Sequence, residues 1–176
     1  FIGRTANVAV MPAEMAISYG VTGPNLRASG IKWDLRKDDP YSIYDKLDFD
    51  IPVGNGEVGT AGDCWSRHRV RMWEMEECIK IIRQVLEQIP EGPIMAKMRG
   101  AIRPTEGEIY MRTETPKGEL GFYIISDGST KPSRIKVRSP AFTALSALRE
   151  LARGWMVADL VAILGSLDIV LGEIDR

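Results

Sequence analysis

The longest periodic stretch of the chain covers residues 64–89 and has the spacing of a helix. Apolar residues recur there every three or four positions, which places them on one helical face. They are Met75, Ile79, Ile82, Leu86 and Ile89. Neither glycine nor proline interrupts the stretch, Asp63 stands before it as an expected N-cap, and Pro90 follows it directly. We therefore predict a single long helix over residues 64–89.

Three segments after this helix have the composition and alternation of strands. Residues 108–116 and 118–127 are separated by Lys117 alone, so we expect them to form a tight hairpin. Residues 133–139 alternate apolar with basic side chains, which is the two-residue period of a strand with unlike faces. Together these segments predict a three-stranded antiparallel meander.

A further strand is predicted before the long helix, between Pro40 and Pro52. Leu47, Phe49 and Ile51 alternate there with charged residues. This alternation is typical of a strand with one buried face. The prolines at either end mark its limits, because proline interrupts the hydrogen bonding of a strand.

The rest of the chain predicts short helices. Residues 11–20 have proline near the start and glycine at the end, as a short helix does, whereas residues 21–30 are rich in turn-forming residues. Residues 140–153 and 155–164 predict two more helices. The order helix, strand, long helix, meander, two helices indicates an α+β fold, in a single region over residues 1–176.

The composition is that of an ordinary globular chain. Of the 176 residues 44% are hydrophobic and 27% are charged, and 23 Lys and Arg against 24 Asp and Glu give a formal net charge of −1. A chain of this length forms one domain by default. Charge near balance argues against a nucleic-acid binder, which needs a basic face. The longest apolar stretch, residues 155–167, is too short and too polar to span a membrane.

Cys64 and Cys78 are the only cysteines, and His68 is the only histidine. One helix would separate the two thiols by about 21 Å, so we expect no disulfide between them. The spacing of Cys64 and His68 is compatible with a Cys–His nucleophile pair, and the alternative is a histidine on the surface or at an interface. One histidine and two distant thiols do not supply the ligands that zinc uses.

Two further groups of residues are assigned structural roles. The glycines at positions 54, 56, 59 and 62 lack the Lys-Ser or Lys-Thr of a P-loop and the spacing of a dinucleotide fingerprint. We expect them to form a flexible loop. Glu74, Glu76 and Glu77 lie three and four positions from basic residues of the same helix, which predicts a solvated, charge-balanced face.

The C-terminal residues combine a long apolar segment with a charged end. Residues 157–171 are apolar apart from Asp159, Ser166 and Asp168, and the chain then ends with Gly-Glu-Ile-Asp-Arg. Such a segment either lines a cavity with an apolar wall and a polar mouth, or forms a core helix and strand followed by a charged tail. The pattern alone does not choose between the two.

A series of short motifs runs through the chain in a fixed order. They are GVTGPNLRASGIKWDLRK at 20–37, PYSIY at 40–44, FDIP at 49–52, GDCWSRHRVR at 62–71, IPEGP at 89–93, PKGELG at 116–121, SDGS at 126–129, RSPAF at 138–142 and ADLVAILGSLDIVLGEIDR at 158–176. Together they resemble the 49-kDa-type subunit, also called the D subunit, of proton-pumping NADH:quinone oxidoreductase, which is respiratory complex I. The resemblance covers residues 1–176 and corresponds to the C-terminal part of the family's pattern.

The resemblance implies a role for the last residues, because the terminal segment of this family folds back near the inner end of the quinone channel. The positions expected to line the quinone site are Ile169, Val170, Leu171 and Asp175, supported by Asp168, Glu173 and Arg176. The family's N-terminal residues that hold the quinone headgroup are not in this sequence. The chain is thus expected to help form the quinone-reduction site and to couple electron transfer to proton translocation, without a catalytic residue of its own.

The family is also distantly related to the large subunit of nickel–iron hydrogenases. By that resemblance the long helix, the short helices and the meander would form part of the hydrogenase fold without its metal site. Residues 168–176, where hydrogenases carry a Cys-x-x-Cys pair, contain no cysteine, and a nickel site requires thiolates. A hydrogenase-related metal enzyme and an assembly or interaction module are the two alternative functions.

The partners and cofactors implied by the resemblance lie elsewhere in the complex. Quinone would be the substrate, and iron–sulfur clusters and FMN would belong to partner subunits. The expected neighbours are the B and C subunits and the membrane arm, with this chain peripheral on the cytoplasmic side of the cell membrane and no nucleic-acid partner. The residues expected to form salt bridges with those subunits are Arg27, Arg36, Arg67 and Arg71.

Overall fold

The computed structural model describes residues 1–97 and 100–175, and within them the chain has the expected α+β organisation. The helices are α1 (Ala13–Ser18), α2 (Pro24–Ala28), α3 (Leu35–Asp38), α4 (Cys64–Gln88), α5 (Pro140–Ser146), α6 (Leu148–Leu151) and α7 (Val157–Leu167). The strands are β1 (Gly107–Thr115), β2 (Gly118–Ser126) and β3 (Arg134–Arg138). The likeness to a hydrogenase fold stays a prediction.

Helix α4 confirms the prediction of one long helix. The carboxylate of Asp63 accepts a hydrogen bond from the Ser66 N–H at 2.7 Å, which satisfies one of the N–H groups that every helix start leaves unpaired. The first half of α4 lies in the core, where Val70 is fully buried. The apolar face predicted for its later part is at least half exposed, at Met75, Ile79, Ile82 and Leu86 and at Ile89 directly after the helix. The described residues therefore leave this apolar face uncovered.

The predicted meander is confirmed as an antiparallel sheet in the order β1-β2-β3. Tyr110 of β1 lies opposite Tyr123 of β2, and the turn between these strands contains Pro116 as well as Lys117. The half of the hairpin near this turn is partly buried against the helices, whereas the open end of β1 is exposed. The sheet thus carries Lys117 inward, towards the helical part of the chain.

The strand predicted between Pro40 and Pro52 is wrong, although its burial pattern is right. Leu47 and Phe49 are buried and the charged residues between them are exposed. Its first half contains a short 3-10 helix, Tyr44–Lys46, and the residues after it belong to no sheet, because their backbone is bonded to side chains of α4. The Asp50 N–H, for example, donates to a carboxylate oxygen of Glu77 at 2.9 Å.

Three helix predictions need different limits. The helix predicted over residues 11–20 is confirmed as α1, but residues 21–30 contain the helix α2, which proline begins because its fixed φ suits the first helical position. The helix predicted over 140–153 is divided into α5 and α6 at Ala147. The last helix, α7, continues to Leu167, three residues further than predicted.

The glycine-rich loop is closely packed at both ends, at Gly54 and Gly62, and its flexibility stays a prediction. A Cβ atom on Gly62 would lie 2.2 Å from the carbonyl oxygen of Met11, and one on Gly54 would lie 2.2 Å from that of Ala28. Gly62 also has a φ of +89°, which residues with a side chain rarely adopt. The glycines therefore allow the loop to lie against neighbouring backbone.

Replacement of Gly62 with alanine is expected to lower the free energy of unfolding by about 3 kcal/mol, because the methyl group adds both a steric clash and a strained φ. Urea denaturation followed by circular dichroism measures this change. The matched control is Gly3→Ala, since a Cβ on Gly3 meets no atom within 4 Å. Equal stability of the two variants would contradict the close packing at Gly62.

The core lies where α1, α2, α4 and α7 meet. Met11, Ala16 and Ile163 are fully buried there, and Leu167 at the end of α7 is 2% exposed. Each short helix contributes only one or two apolar residues, so its stability comes from this tertiary packing and not from its own length. Of the helices in residues 1–97 and 100–175, none is long and apolar enough to cross a membrane.

Candidate functional site

A cavity of about 800 Å³ lies beside α4, and we call it the α4 cavity. The N-terminal residues, α2, α3, the end of β1 and the last turn of α7 complete its wall. Its apolar lining includes Phe1, Met72, Met75, Pro116 and Ala162, and its charged lining is Arg27, Arg36, Arg71, Glu74, Glu114 and Asp168. A cavity of this size with apolar walls and a few placed polar groups suits a small organic molecule.

Arg71 reaches from α4 into the cavity wall. Its Nη1 donates to the Arg67 carbonyl at 3.0 Å, and its Nη2 donates to Asn25 Oδ1 at 2.8 Å and to the Leu167 carbonyl at 3.2 Å. Its buried Nε lies 3.3 Å from a carboxylate oxygen of Asp168 but is not aligned to donate to any acceptor among the described residues. Burial lowers the pKa of Arg71 to about 10, so the guanidinium stays charged at neutral pH.

Asp168, a predicted supporting residue, lines one end of the cavity. It follows α7 in the left-handed conformation, with φ 58° and ψ 55°, which is uncommon for a residue other than glycine. Its Oδ2 pairs with both Arg71 and Lys117. One carboxylate therefore joins α4, the hairpin turn and the end of α7.

The residues predicted to line the quinone site lie beyond Asp168 and do not line the α4 cavity. Ile169 is partly buried and packs against the core, whereas Val170, Leu171 and Asp175 are exposed. Within the described part of this segment a core helix is followed by a short turn and no strand. Helix α7 buries Ile163 and Leu167 but leaves its other large apolar side chains exposed, so the alternative of a core helix and strand is right only for part of the helix, and Asp168 connects that helix to a cavity.

Glu173 anchors the terminal segment to the start of α5. Its carboxylate accepts hydrogen bonds from the Ser139 hydroxyl at 3.0 Å and from the Ala141 N–H at 3.1 Å. Together with the ion pairs of Asp168, these bonds hold the segment at two points. Arg176, the other predicted supporting residue, lies outside the described residues.

The most highly charged part of the cavity wall is a buried group that we call the Arg27 cluster. It consists of Arg27, Asp34, Arg36, Glu74 and Glu114. The Arg27 side chain is 1% exposed, its Nε donates to Glu74 at 2.5 Å, and its Nη1 donates to Glu114 at 2.9 Å and lies 3.4 Å from Asp34. Arg36 donates twice to Asp34, at 2.9 and 2.6 Å. Two guanidiniums and three carboxylates give a net charge of −1 when all are ionised.

Two carboxyls of this cluster have opposite pKa shifts. Burial alone would raise the pKa of Asp34, but hydrogen bonds from Arg36 and the charge of Arg27 outweigh burial and hold this pKa below its usual value. Burial also raises the pKa of Glu114, and there it outweighs the opposing charge of Arg27. Glu114 therefore binds a proton more readily than Asp34 does.

The prediction that the four arginines form salt bridges with other subunits is wrong, because their guanidiniums are bonded within this chain. Arg67, for example, is fully buried, and its Nη1 donates to the carbonyls of Ala9 at 3.1 Å and Gly62 at 2.5 Å. Arg27 pairs with Glu74 and Glu114, which lie 47 and 87 positions further along the chain. Local sequence patterns carry no information on pairs so distant.

The prediction of a solvated glutamate face on α4 is right only for Glu76, which is exposed. Glu74 is 13% exposed at its side chain because it pairs with Arg27. Glu77 is buried to 9% exposure because its carboxylate accepts from the Asp50 N–H and from Lys80. These two glutamates hold other segments of the chain against α4.

The hypothesis of a Cys–His pair is not supported by the geometry. The buried Cys64 thiol accepts a hydrogen bond from Arg67 at 3.2 Å, and His68 packs against the rings of Phe1 and Trp65, at centroid distances of 4.9 and 5.9 Å. Both cysteines are free, as predicted. In the part of the chain that the structure describes, no three His, Cys, Asp or Glu side chains come together as metal ligands.

Comparison with known proteins gives a consistent result over the whole chain. The family profile described as "Respiratory-chain NADH dehydrogenase, 49 Kd subunit" matches residues 1–105 and 97–176. The chain is 56% identical over 180 residues to the D subunit of the NADH-quinone oxidoreductase of Chlorobaculum tepidum and 54% identical over 180 residues to that of Chlorobium luteolum. It is 52% identical over 176 residues to the second D subunit of the NADH-quinone oxidoreductase of Anaeromyxobacter dehalogenans.

These alignments cover all of this chain but only part of each relative. They include 45% of the Chlorobaculum tepidum protein and 46% of each of the other two. The chain thus spans about half the length of the curated relatives it matches.

Proposed function

The chain belongs to the family of the 49-kDa subunit of respiratory-chain NADH dehydrogenase, and from this membership we propose that it is the C-terminal portion of the D subunit of an NADH-quinone oxidoreductase. Its proposed task is to form one wall of the site where quinone is reduced. Electrons would come from iron–sulfur clusters and FMN in partner subunits. The neighbours would be the B and C subunits and the membrane arm, on the cytoplasmic side of the cell membrane.

The observation that carries this proposal is the chemistry of the α4 cavity. A quinone has a flat apolar ring and two carbonyl oxygens, which accept but do not donate hydrogen bonds. Met72, Met75 and Pro116 offer apolar contact to such a ring. Arg71 places a charged guanidinium on the cavity wall beside Asp168, and hydrogen bonds from charged donors are stronger than those from neutral ones.

The terminal segment is proposed to form a further part of the quinone site. We propose that Ile169, Val170, Leu171 and Asp175 line the quinone site where it continues past Asp168. Support comes from the two anchors of this segment, because Asp168 and Glu173 hold it to the rest of the chain. Residues held in this way keep a constant position next to a bound molecule.

Coupling of quinone reduction to proton translocation needs groups that change charge near the quinone. Reduction to quinol adds two electrons and two protons, so the charge inside the site changes unless each proton arrives with its electron. Asp168 and the Arg27 cluster place titratable groups on the cavity wall. We propose that these groups respond to the reaction, with the redox centres themselves in other subunits.

The experiment that tests the quinone role uses Val170→Met in the assembled membrane complex. Because Val170 is 40% exposed, a longer side chain is tolerated by the fold but intrudes on a neighbouring site. We expect a rise of about three- to tenfold in the KM for quinone, equivalent to about 0.7–1.4 kcal/mol, and altered sensitivity to inhibitors that compete with quinone. NADH oxidation by ferricyanide, which bypasses the quinone site, stays unchanged.

The matched control is Val161→Met, which makes the same change at an exposed position of α7. It is expected to leave quinone kinetics unchanged. An assembly or interaction module predicts another outcome, in which Val170→Met alters association with other subunits but leaves the KM for quinone as it was. That outcome would contradict the proposed function.

A further inference from the structure

The Arg27 cluster is part of the cavity wall and not only a structural ion-pair network. Four of its five members, Arg27, Arg36, Glu74 and Glu114, line the α4 cavity, and Asp34 lies behind them. Glu114 is 3% exposed at its side chain. Any charge placed in the cavity therefore acts on these groups through protein and not through bulk water, which strengthens the interaction.

Within the cluster the oxygens of Asp34 and Glu114 are unequally satisfied. Asp34 Oδ1 accepts two hydrogen bonds at 2.9 Å, from the backbone and the side chain of Arg36, and its Oδ2 accepts another at 2.6 Å. Glu114 Oε1 accepts from Arg27 at 2.9 Å, but Oε2 receives only the Leu35 N–H at 3.4 Å. That distance is longer than an ordinary hydrogen bond, so Oε2 is the oxygen best able to take a proton.

The charged groups around Glu114 come from several elements, and on the neighbouring strand β2 the buried Glu119 lies opposite it in register and pairs with Arg112 of β1. Arg27 belongs to α2, and Asp34 and Arg36 belong to α3 and its cap. Helix α4 contributes Glu74, Arg71 and the thiol of Cys78, the last of which lies near Arg36. The Tyr41 hydroxyl bonds to the backbone of Glu114. Across the cavity, Lys117 and Asp168 form the ion pair at its other end.

We propose that Glu114 is a proton-exchange site of the α4 cavity. Its Oε2 takes a proton from solvent when an anionic molecule or intermediate occupies the cavity, and the same O–H bond breaks and returns the proton when that charge leaves. Glu114 thereby compensates the charge that forms as quinone is reduced, a role that rests on the proposed function. Because the cluster has a net charge of −1 when all its groups are ionised, a further negative charge in the cavity favours protonation of one of its carboxylates.

Burial supports this assignment because it raises the pKa of Glu114 above its usual value. For an acid whose pKa is higher in the folded chain, the folded state holds more protons than the unfolded state between the two pKa values. The free energy of unfolding therefore falls as the pH rises through that window. In the variant Glu114→Gln this component of the pH dependence is absent, so the difference in stability between the two proteins changes with pH.

The first test measures the titration of Glu114 directly in the full chain. Carbon-13 NMR of the glutamate carboxyls is expected to show one resonance with a pKa above 4.5, missing in Glu114→Gln and retained in the exposed control Glu106→Gln. The raised pKa is measured on the unmodified protein, so this result does not depend on whether a variant folds. Titration of Glu114 at or below the ordinary glutamate value would overturn the proposal.

The second test measures proton uptake when a charged quinone binds. The probes are 2-hydroxy-1,4-naphthoquinone as its anion and uncharged 1,4-naphthoquinone, studied by calorimetry in two buffers of different ionisation enthalpy. The pH is set one unit above the measured pKa of Glu114. If the anion raises that pKa by one unit, uptake is about 0.4 proton per bound molecule. Binding of the uncharged probe causes less proton uptake, and the variant Glu114→Gln binds the anion without proton uptake.

The outcomes separate this inference from the function on which it rests. Binding of both quinones without proton uptake overturns the role of Glu114 and leaves the cavity as a quinone site. Failure of both quinones to bind overturns both statements. Proton uptake that persists in Glu114→Gln would show that another group takes up the proton, and it would also overturn the assignment to Glu114.

Discussion

Replacement of Arg27 with methionine is expected to lower the free energy of unfolding by about 3–5 kcal/mol, because it leaves three carboxylates inside the protein without their shared cation. Arg27 is 1% exposed and contacts Asp34, Glu74 and Glu114 directly. Methionine fills much of the same volume, so the loss reports on charge more than on packing. Urea denaturation at neutral pH measures the effect.

The pH dependence of this loss tests its electrostatic origin. Without Arg27 the pKa values of Asp34 and Glu114 are higher in the folded chain, so the variant recovers stability as the pH falls and these two carboxyls become protonated. The matched control is Arg69→Met on the exposed side of α4, with an expected loss of less than about 1 kcal/mol. A loss at Arg27 no larger than at Arg69, or one independent of pH, would contradict the account of the cluster.

Replacement of Arg71 with glutamine in the assembled complex is expected to lower kcat/KM for quinone reduction by about 10- to 100-fold. This corresponds to about 1.5–3 kcal/mol, the value of a hydrogen bond from a charged group. Arg71 lines the cavity beside Asp168 and keeps its charge at neutral pH. Steady-state kinetics with a short-chain quinone measure the change, and subunit content establishes that the complex has assembled.

The control for Arg71→Gln is Arg69→Gln, two positions away on the same helix. Arg69 contacts the Trp73 ring and lies 4.0 Å from Glu57, outside the α4 cavity. We expect its quinone kinetics to match those of the unmodified complex. A fully assembled Arg71→Gln complex with unchanged kcat/KM would remove Arg71 from the quinone site.

Local patterns predicted those parts of the fold that depend on neighbouring residues. Helix α4 begins after Asp63 because an aspartate cap and an uninterrupted helical stretch lie next to each other in the chain. The alternation of Leu47 and Phe49 predicted their burial correctly but not their structure. Alternation records which side of a segment faces the core, and here the hydrogen bonds go to the side of α4 and not to another strand.

The candidate site was predictable only in part because its contacts join distant segments. Asp168 lines the α4 cavity, and the support of the quinone site that the family resemblance implies for it stays a prediction. The Arg27 cluster gave no signal, since Glu114 is separated from Arg27 by a long helix and a linker. The local sequence around an arginine beside a turn is the same whether its side chain contacts solvent, another subunit or three buried carboxylates.

The central claim is that quinone occupies the α4 cavity, and photo-crosslinking tests it most directly. The membrane complex that contains this chain is illuminated with a photoreactive quinone, with and without an excess of unmodified quinone, and the labelled peptides are identified by mass spectrometry. We predict competed labelling on residues that line the cavity, above all Met72 and Met75 of α4. Labelling of this chain confined to the open end of the sheet, near Ile109, or absent altogether, would contradict the account.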